Sequence, residues 1–420
     1  MPFFQNVENL SLTTSIFQHC ADCGRNLGKN AISLSGIGQD RILVIFPEPD
    51  TFQSQATRNV PGTSQQIQGD WIAGTSSILS ILNTHYRSQE RYLPDCIWAT
   101  GVLQCPSISK KSYDVVPCLK KLDQTIKETQ PIVIFAVGKK TTGAVFHLCF
   151  PHSFGQNCEP SLYFGHQIPL DRYNAYLIPV MSDSDIEESP RESHPVAKKH
   201  LYSHVHSGLA LKDSRPFKPG ERATPDSSQI QFLSHVDAPT KLEEYSNRYK
   251  YAAFDYETTT LHPEATGAKV LCASVCFGNS NGKDLQTVVF PFSHSSIVEA
   301  WRKFLGHPIY KLGANIKFET RWSTVYFQQP VTHWYWDCNA VGHILDCEEG
   351  TANLKFLATA YFGVCGYNKV VERFIKSDTE YGTNRLTEVP FQELFTYCAI
   401  DSILTFRAAK RQHEILKRKF

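Results

Sequence analysis

The stretch KYAAFDYETTTL, residues 250–261, sets two carboxylates, Asp255 and Glu257, two positions apart at the end of an apolar run. Side chains alternate across a strand, so both leave the same face, and like charges there repel unless a cation lies between them. A divalent metal ion suits such a pair. Further acidic positions stand far along the chain. In FQELFTYCAIDSILTFRAAKRQHEIL, which reads as a long helix, Tyr397 and Asp401 lie four apart and share one face. In LGANIKFETRW, Asn315, Lys317 and Glu319 fall where a strand passes into a helix. Three elements thus offer four carboxylates, the set that can hold two metal ions roughly 3.5–4 Å apart. Singly these features are weak, since an Asp-x-Glu at a strand end is most often a solvated edge. Their number and apolar flanks carry the argument.

The elements around them read as α/β. YAAFDYE and VLCASVCFG are successive strands, SIVEAWRKFLG is a helix ended by Gly306, and the long helix follows. Upstream, RILVIF (41–46) and PIVIFAV (131–137) are short β-branched runs, and PCLKKLDQTIKETQ between them places Leu119, Leu122 and Ile126 at helical spacing. Strand, helix, strand predicts an α/β domain with a largely parallel sheet. Residues 182–245 are rich in Ser, Pro, Lys, Glu and His and read as a polar linker. The expected organisation is a domain over 1–181, the linker, and a second domain over 246–420.

The trio FDYETT, NIKFE and YCAID resembles the three motifs of the DEDD exonuclease superfamily, in the tyrosine-bearing (DEDDy) form found in proofreading domains of phage-type family A DNA polymerases. WDCNAVGHILD followed by NLKFLATAYFG is similar to the segment between the second and third motifs. The resemblance spans 246–420 and implies a ribonuclease H-like (DnaQ-like) fold with a mixed sheet flanked by helices. It implies a 3′→5′ exonuclease in which Asp255, Glu257 and Asp401 hold one Mg²⁺ or Mn²⁺, with Asp255 shared by a second ion and Glu319 beside it. Tyr397 orients the attacking water. Asn315, Lys317 and Thr258 are candidate contacts to the DNA 3′ end, single-stranded by expectation, with a structural cap at Asn315 and a surface lysine at Lys317 as equally good readings. Glu319 departs from the family's usual aspartate; its extra bond adds about 1.5 Å of reach, so the second ion is met through a shifted helix or a water. The partner implied is a polymerase. The chain stops at HEILKRKF soon after the third motif, so it is expected to be a separate proofreading subunit or a part of a polymerase.

CADCGR supplies Cys20 and Cys23, and TGVLQCPSISKKSYDVVPCLKKL supplies Cys105 and Cys118. A Cys-x-x-Cys turn plus a distant pair can complete four sulfur ligands, for zinc or for an iron–sulfur cluster; scattered buried thiols are the plainer alternative. RILVIFPEPDT, WATGVLQC and PIVIFAVG, in order, resemble the iron–sulfur uracil-DNA glycosylase superfamily. That resemblance implies a three-layer α/β/α domain with a 4Fe–4S cluster on the four cysteines, Zn²⁺ being the rival. Its chemistry looks lost: Gly101 stands where the family has an asparagine, Ser182 near its histidine, and Pro49, Asp50 and Thr51 follow the matching Glu48. VGKKTTG (137–143) lacks the upstream glycine of a phosphate loop, and Lys139 and Lys140 read as a solvated turn.

Forty-two basic residues against forty-one acidic leave a net charge of +1, which excludes bulk attraction to nucleic acid and requires any polyanion site to be local. Thirteen cysteines, an odd number, and the absence of a leader pattern at the start point to a reducing interior, the cytoplasm, or a host's cytoplasm for a phage protein. No apolar run reaches the ~18 residues of a membrane span. Beside the nuclease stand a repair glycosylase, against which the missing Asn and His count, and a non-catalytic DNA-binding replication scaffold, which Glu319 favours.

Overall fold

The computed structural model describes residues 34–47, 76–103, 116–151 and 159–419, with the backbone course of 53–59 and 66–72. Two compact units divide the chain after Glu221.

In the first unit, strands β1 (Ile42–Phe46), β2 (Gln53–Asn59) and β3 (Gln66–Ile72) precede helices α1 (Ser77–Arg87) and α2 (Leu93–Cys96). Then come β4 (Ile97–Gly101), α3 (Val116–Thr129), β5 (Val133–Val137), α4 (Lys139–Cys149), β6 (Ile168–Leu170), β7 (Ala175–Val180), α5 (Asp183–Glu187) and α6 (His194–Leu209). The sheet runs β4-β1-β5-β7-β6, parallel except for β6, and β2 pairs β3 apart from it. β1 and β5 are buried at every position, as parallel strands covered on both faces must be. Ile42, Val44, Phe46, Val133 and Phe135 face Ile78 and Leu82 of α1 and Leu201 and Val205 of α6 in one cluster. Alternation turns Leu43, Ile45 and Ile134 the other way, where α3 and α4 bury Leu122, Ile126, Val145 and Phe146. Lys139 and Lys140 are exposed, but in the first turn of α4 after Gly138 (φ 85°), not on a turn.

The polar linker expected over 182–245 is corrected by the structure. α5 opens on a capping box between Ser182 and Asp185, and α6 buries Leu201, Val205 and Leu209 in the first unit's core. Those three stand four apart, so with Ala197 one narrow apolar stripe suffices to dock a helix most of whose other positions are polar. Averaged composition hides such a stripe. Gly208 belongs to it: a Cβ there would lie 2.6 Å from the Phe135 ring. The second unit likewise begins before 246, because β8 (Ile230–Phe232) pairs with a sheet edge and α7 (Asp237–Arg248) buries Ala238, Leu242 and Tyr245.

The second unit continues with β9 (Tyr251–Thr258), β10 (Val270–Gly278), β11 (Gln286–Pro291), α8 (Ser295–Gly306), β12 (Tyr310–Gly313), α9 (Ile316–Val325), β13 (Trp334–Asp337), α10 (Cys338–Leu345), α11 (Leu354–Phe362), α12 (Lys369–Ile375) and α13 (Phe391–Lys419). The mixed sheet runs β13-β12-β9-β10-β11-β8, with β9 antiparallel to β10 and parallel to β12. Ala252, Phe254 and Tyr256 of β9 enter an aromatic core with Trp301 and Phe304 of α8 and Trp322 of α9. The Trp301 indole donates to Tyr256 Oη (2.7 Å), which also meets Ser323 Oγ (2.8 Å), while the Trp322 indole N–H is buried without a partner among the described residues. The intervening residues, Ala253, Asp255 and Glu257, leave the opposite face, and α13 packs there.

Candidate active site

β10 fixes α13 against β9. Ser274, in register with Asp255, donates to the Cys398 carbonyl (2.6 Å) and meets Ser402 Oγ, holding one turn of α13 over the strand. The Cys398 thiol accordingly lies 3.7 Å from the Asp255 carbonyl oxygen and 3.9 Å from its Oδ2. Ligand atoms of Asp255, Glu257 and Cys398 all stand within 4.8 Å of one another. Asp401, three residues after Cys398, accepts from Tyr367 Oη at 2.5 Å. The Tyr367 ring stacks on Tyr397, centroids 5.9 Å apart. Glu319 comes from the first turn of α9, which starts at Asn315 in the left-handed region (φ 75°). Asp337 supports that bend by accepting from the Asn315 and Ile316 amides (3.0 and 3.2 Å).

Among the described residues, no countercharge forms an ion pair with these carboxylates. Burial pushes Asp255 well above the usual carboxylate range, and repulsion from Asp401 adds to it. Glu257 is raised by burial and by its neighbours Cys398, Asp255 and Asp401. Burial and Asp255 raise Glu319, which is 2 % exposed and whose Oε2 has no hydrogen-bond partner. Asp401 is pushed up to about 6 by burial, while hydrogen bonds from Tyr367 and Tyr397 hold it back. The ammonium of Lys355, an exposed residue of α11, draws Asp255, Glu257 and Asp401 downward without forming an ion pair with any of them. Both phenols are shifted up by burial and by these anions, so Tyr367 and Tyr397 stay protonated donors. A buried carboxylate oxygen with no partner, beside three more raised acids, is a donor set that fits divalent cations.

The structure thus brings Asp255, Glu257, Glu319, Tyr397 and Asp401 to one end of β9. Asn315 and Lys317 are exposed at the start of α9. Thr258 is buried and donates to the Thr260 carbonyl (2.8 Å), while its own carbonyl accepts from Asn384 Nδ2 (2.8 Å). That makes it a brace of the loop beside the site more than an open DNA contact. Tyr367, Lys355 and Cys398 went unremarked in the sequence. Cys398 and Lys355 sit inside stretches whose acids or apolar pattern drew the reading, and nothing in GYNK ties Tyr367 to an aspartate 34 positions on. In the first unit, Cys20, Cys23, Cys105 and Glu48 lie outside the described residues. Cys118 is half-buried in α3. Gly101 ends β4, and Ser182 caps α5 with its hydroxyl bound to Asp185 (2.7 Å). Among the described residues no helix is long and apolar enough to cross a membrane.

Residues 231–417 match the family described as 3′-5′ exonuclease, and they form a 3′-5′ exonuclease domain; domains of this type use two divalent metal ions. The match opens at Gln231, inside the segment expected as a linker. No curated protein matches the chain. Among solved structures, the catalytic core of RRP6 from Trypanosoma brucei is similar over 46% of this chain and 47% of that one, at 14% identity and a TM-score of 0.34. The POL domain of Pol1 from M. smegmatis, in complex with DNA primer-template and dNTP, is similar over 45% and 28%, at 11% identity and 0.32. The EXO domain of Aedes aegypti Nibbler is similar over 46% and 92%, at 12% identity and 0.33. This chain therefore spans under half of the RRP6 core.

Proposed function

We propose, for a chain whose residues 231–417 are a 3′-5′ exonuclease domain, that it removes 3′-terminal nucleotides from DNA as the proofreading part of a family A polymerase. The observation that carries this reading is the convergence of Asp255, Glu257, Glu319 and Asp401, all raised and none in an ion pair, beside two stacked tyrosines. Asp255, Glu257 and Asp401 would hold one Mg²⁺ or Mn²⁺, and Asp255 with Glu319 the second. Two such ions, when bound, supply a water of lowered pKa and neutralise charge at the leaving 3′ oxygen.

The chain's own groups do the rest. Tyr397, a neutral donor, orients the water for in-line attack. Tyr367 fixes the Asp401 carboxylate in one rotamer by donating to Oδ1. Lys355 balances part of the anionic charge, which eases approach of a phosphodiester. Asn315 and Lys317, exposed beside Glu319, are placed to meet the strand being shortened. The first unit, with parallel strands between two helical layers, is read as a degenerate uracil-DNA glycosylase-like module whose Cys20, Cys23, Cys105 and Cys118 hold a 4Fe–4S cluster or zinc. A brown protein would favour iron.

The test is a gel of 5′-labelled DNA and RNA strands with Mg²⁺ or Mn²⁺, beside Asp401→Asn. A ladder of mononucleotide steps from the 3′ end of DNA, lost in the variant and in chelator, is expected. No cleavage in either metal would leave the scaffold reading; cleavage of RNA alone would reject proofreading.

A further inference from the structure

At the opposite end of β9 from the carboxylates, an open groove of about 200 Å³ runs between the sheet and the last turns of α13. Tyr251, Tyr335, Trp336 and Phe406 line it, and Tyr310 and Lys250 stand beside it against Tyr251. Tyr251 pairs with Tyr310 across β9 and β12, their rings stacked at 5.8 Å, and Tyr335 of β13 stands 5.4 and 5.1 Å from them. Tyr310 is 39% exposed and Tyr335 45%, so the triplet presents ring surface to solvent. Exposed rings kept together across three neighbouring strands are costly to leave bare.

The lysines that line the groove or meet its rings supply its charge. Lys250 Nζ lies 5.3 and 5.9 Å from the centroids of Tyr251 and Tyr310. Lys410 and Lys417, a further seven positions along α13, line the groove, with His413 between them, and no carboxylate of the described residues does. Lys410 is already tethered to the Asn281 carbonyl (2.6 Å), which holds its ammonium at the rim; Lys417 is exposed. Since the chain as a whole is nearly neutral, this is a local concentration of positive charge.

From this combination we infer that the groove is a second binding site for single-stranded polynucleotide, with bases stacking on Tyr310 and Tyr335 and phosphates meeting Lys250, Lys410 and Lys417. Aromatic faces serve any base and lysines track the backbone, so the site is indifferent to sequence. Counting along α13 at 1.5 Å per residue, Lys410 and Lys417 lie about 14 and 24 Å from Asp401, several nucleotides away. The site therefore adds affinity for long strands and none for short ones. This rests on the exonuclease reading only in taking the ligand to be nucleic acid.

The experiment measures binding of fluorescein-labelled dT20 and U20 to the full chain in EDTA by anisotropy, and in parallel the metal-supported hydrolysis of dT3 and dT20. Tyr335→Ala and Tyr310→Ala are expected to weaken dT20 binding about tenfold each. Lys417→Ala should lower the slope of log affinity on log salt by about 0.7. Tyr335→Phe, which keeps the ring, should bind as the wild type, and dT3 hydrolysis should be unchanged throughout. Variants that bind dT20 as the wild type does, or that lose dT3 and dT20 hydrolysis equally, overturn the inference. If the wild type binds dT20 through Tyr335 but cleaves nothing, the proofreading proposal fails and this one stands; the U20 arm tells whether the site prefers either sugar.

Discussion

Asp40 in the first unit and the four acids of the second are all carboxylates withdrawn from water, yet they are treated oppositely. Asp40, its side chain 8% exposed, receives Arg91 at 2.5 and 2.9 Å, Lys212 at 3.0 Å and Tyr86 Oη at 3.0 Å. Burial alone would raise it, but hydrogen bonds from Arg91, Lys212 and Tyr86 outweigh that and hold it below the usual range. Asp255, Glu257, Glu319 and Asp401 have no basic partner in contact and all move up. A carboxylate that serves the fold is folded together with its cations. One left without them is stable only protonated, or with a cation from solution.

The comparison breaks most sharply at Asp255. Asp255→Ala should lower nuclease activity at least about a thousandfold while far-UV circular dichroism stays native, because the residue is proposed to be shared by both ions. Retained activity would mean that the unpaired acids do not hold the catalytic cations. Next in size is Tyr367→Phe, which keeps the ring stack but removes the donor to Asp401. Activity or Mn²⁺ affinity, read by titration, should fall about 10–100-fold, the usual cost of losing a group that orients a ligand. Asp40→Asn should leave hydrolysis intact and destabilise the first unit by about 1–3 kcal/mol in urea, since Arg91 and Lys212 lose their anion while partly open to solvent.

The smallest effect has the most diagnostic sign. Asp401 titrates from 3.8 unfolded to about 6 folded, so the metal-free native state binds more protons between those values. Its contribution to stability is complete below about 3.8 and is lost as pH rises through 6. Asp40, depressed, behaves the other way: its contribution is present above its unfolded value and fades on acidification. Urea unfolding from pH 4 to 7 in EDTA should therefore show wild type losing stability relative to Asp401→Asn, and Mn²⁺ should restore it increasingly as pH rises. A wild type that gains on the variant with rising pH would show that Asp401 is paired after all.

Much of the architecture could be read in advance where the signal is local. RILVIF and PIVIFAV became the two fully buried central strands because an uninterrupted β-branched run suits only a sheet covered on both faces. The helix carrying Leu119, Leu122 and Ile126 was legible for the same kind of reason. The segment 182–245 was not, because α6 docks through a narrow stripe around Leu201, Val205 and Leu209, and β8 is a strand only by virtue of the edge of β11 it pairs with. Thr258 carried no local mark of its role as a brace, since the Asn384 that binds it is 126 positions away.

For the site itself, sequence by itself determined which groups could act. Asp255 and Glu257 had to share a face because strand geometry leaves no choice, and Tyr397 and Asp401 had to share one because a helix turn is close to four residues. What only the tertiary structure decided is their company. Ser274 clamps α13 onto β9, Tyr367 arrives from another loop to hold Asp401, and Glu319 is buried with an oxygen left unpartnered. Local geometry orients a side chain relative to its neighbours in the chain; whether a charge is met by a lysine, a tyrosine or nothing depends on contacts between segments distant in sequence, and those exist only once the sheet and its helices have packed.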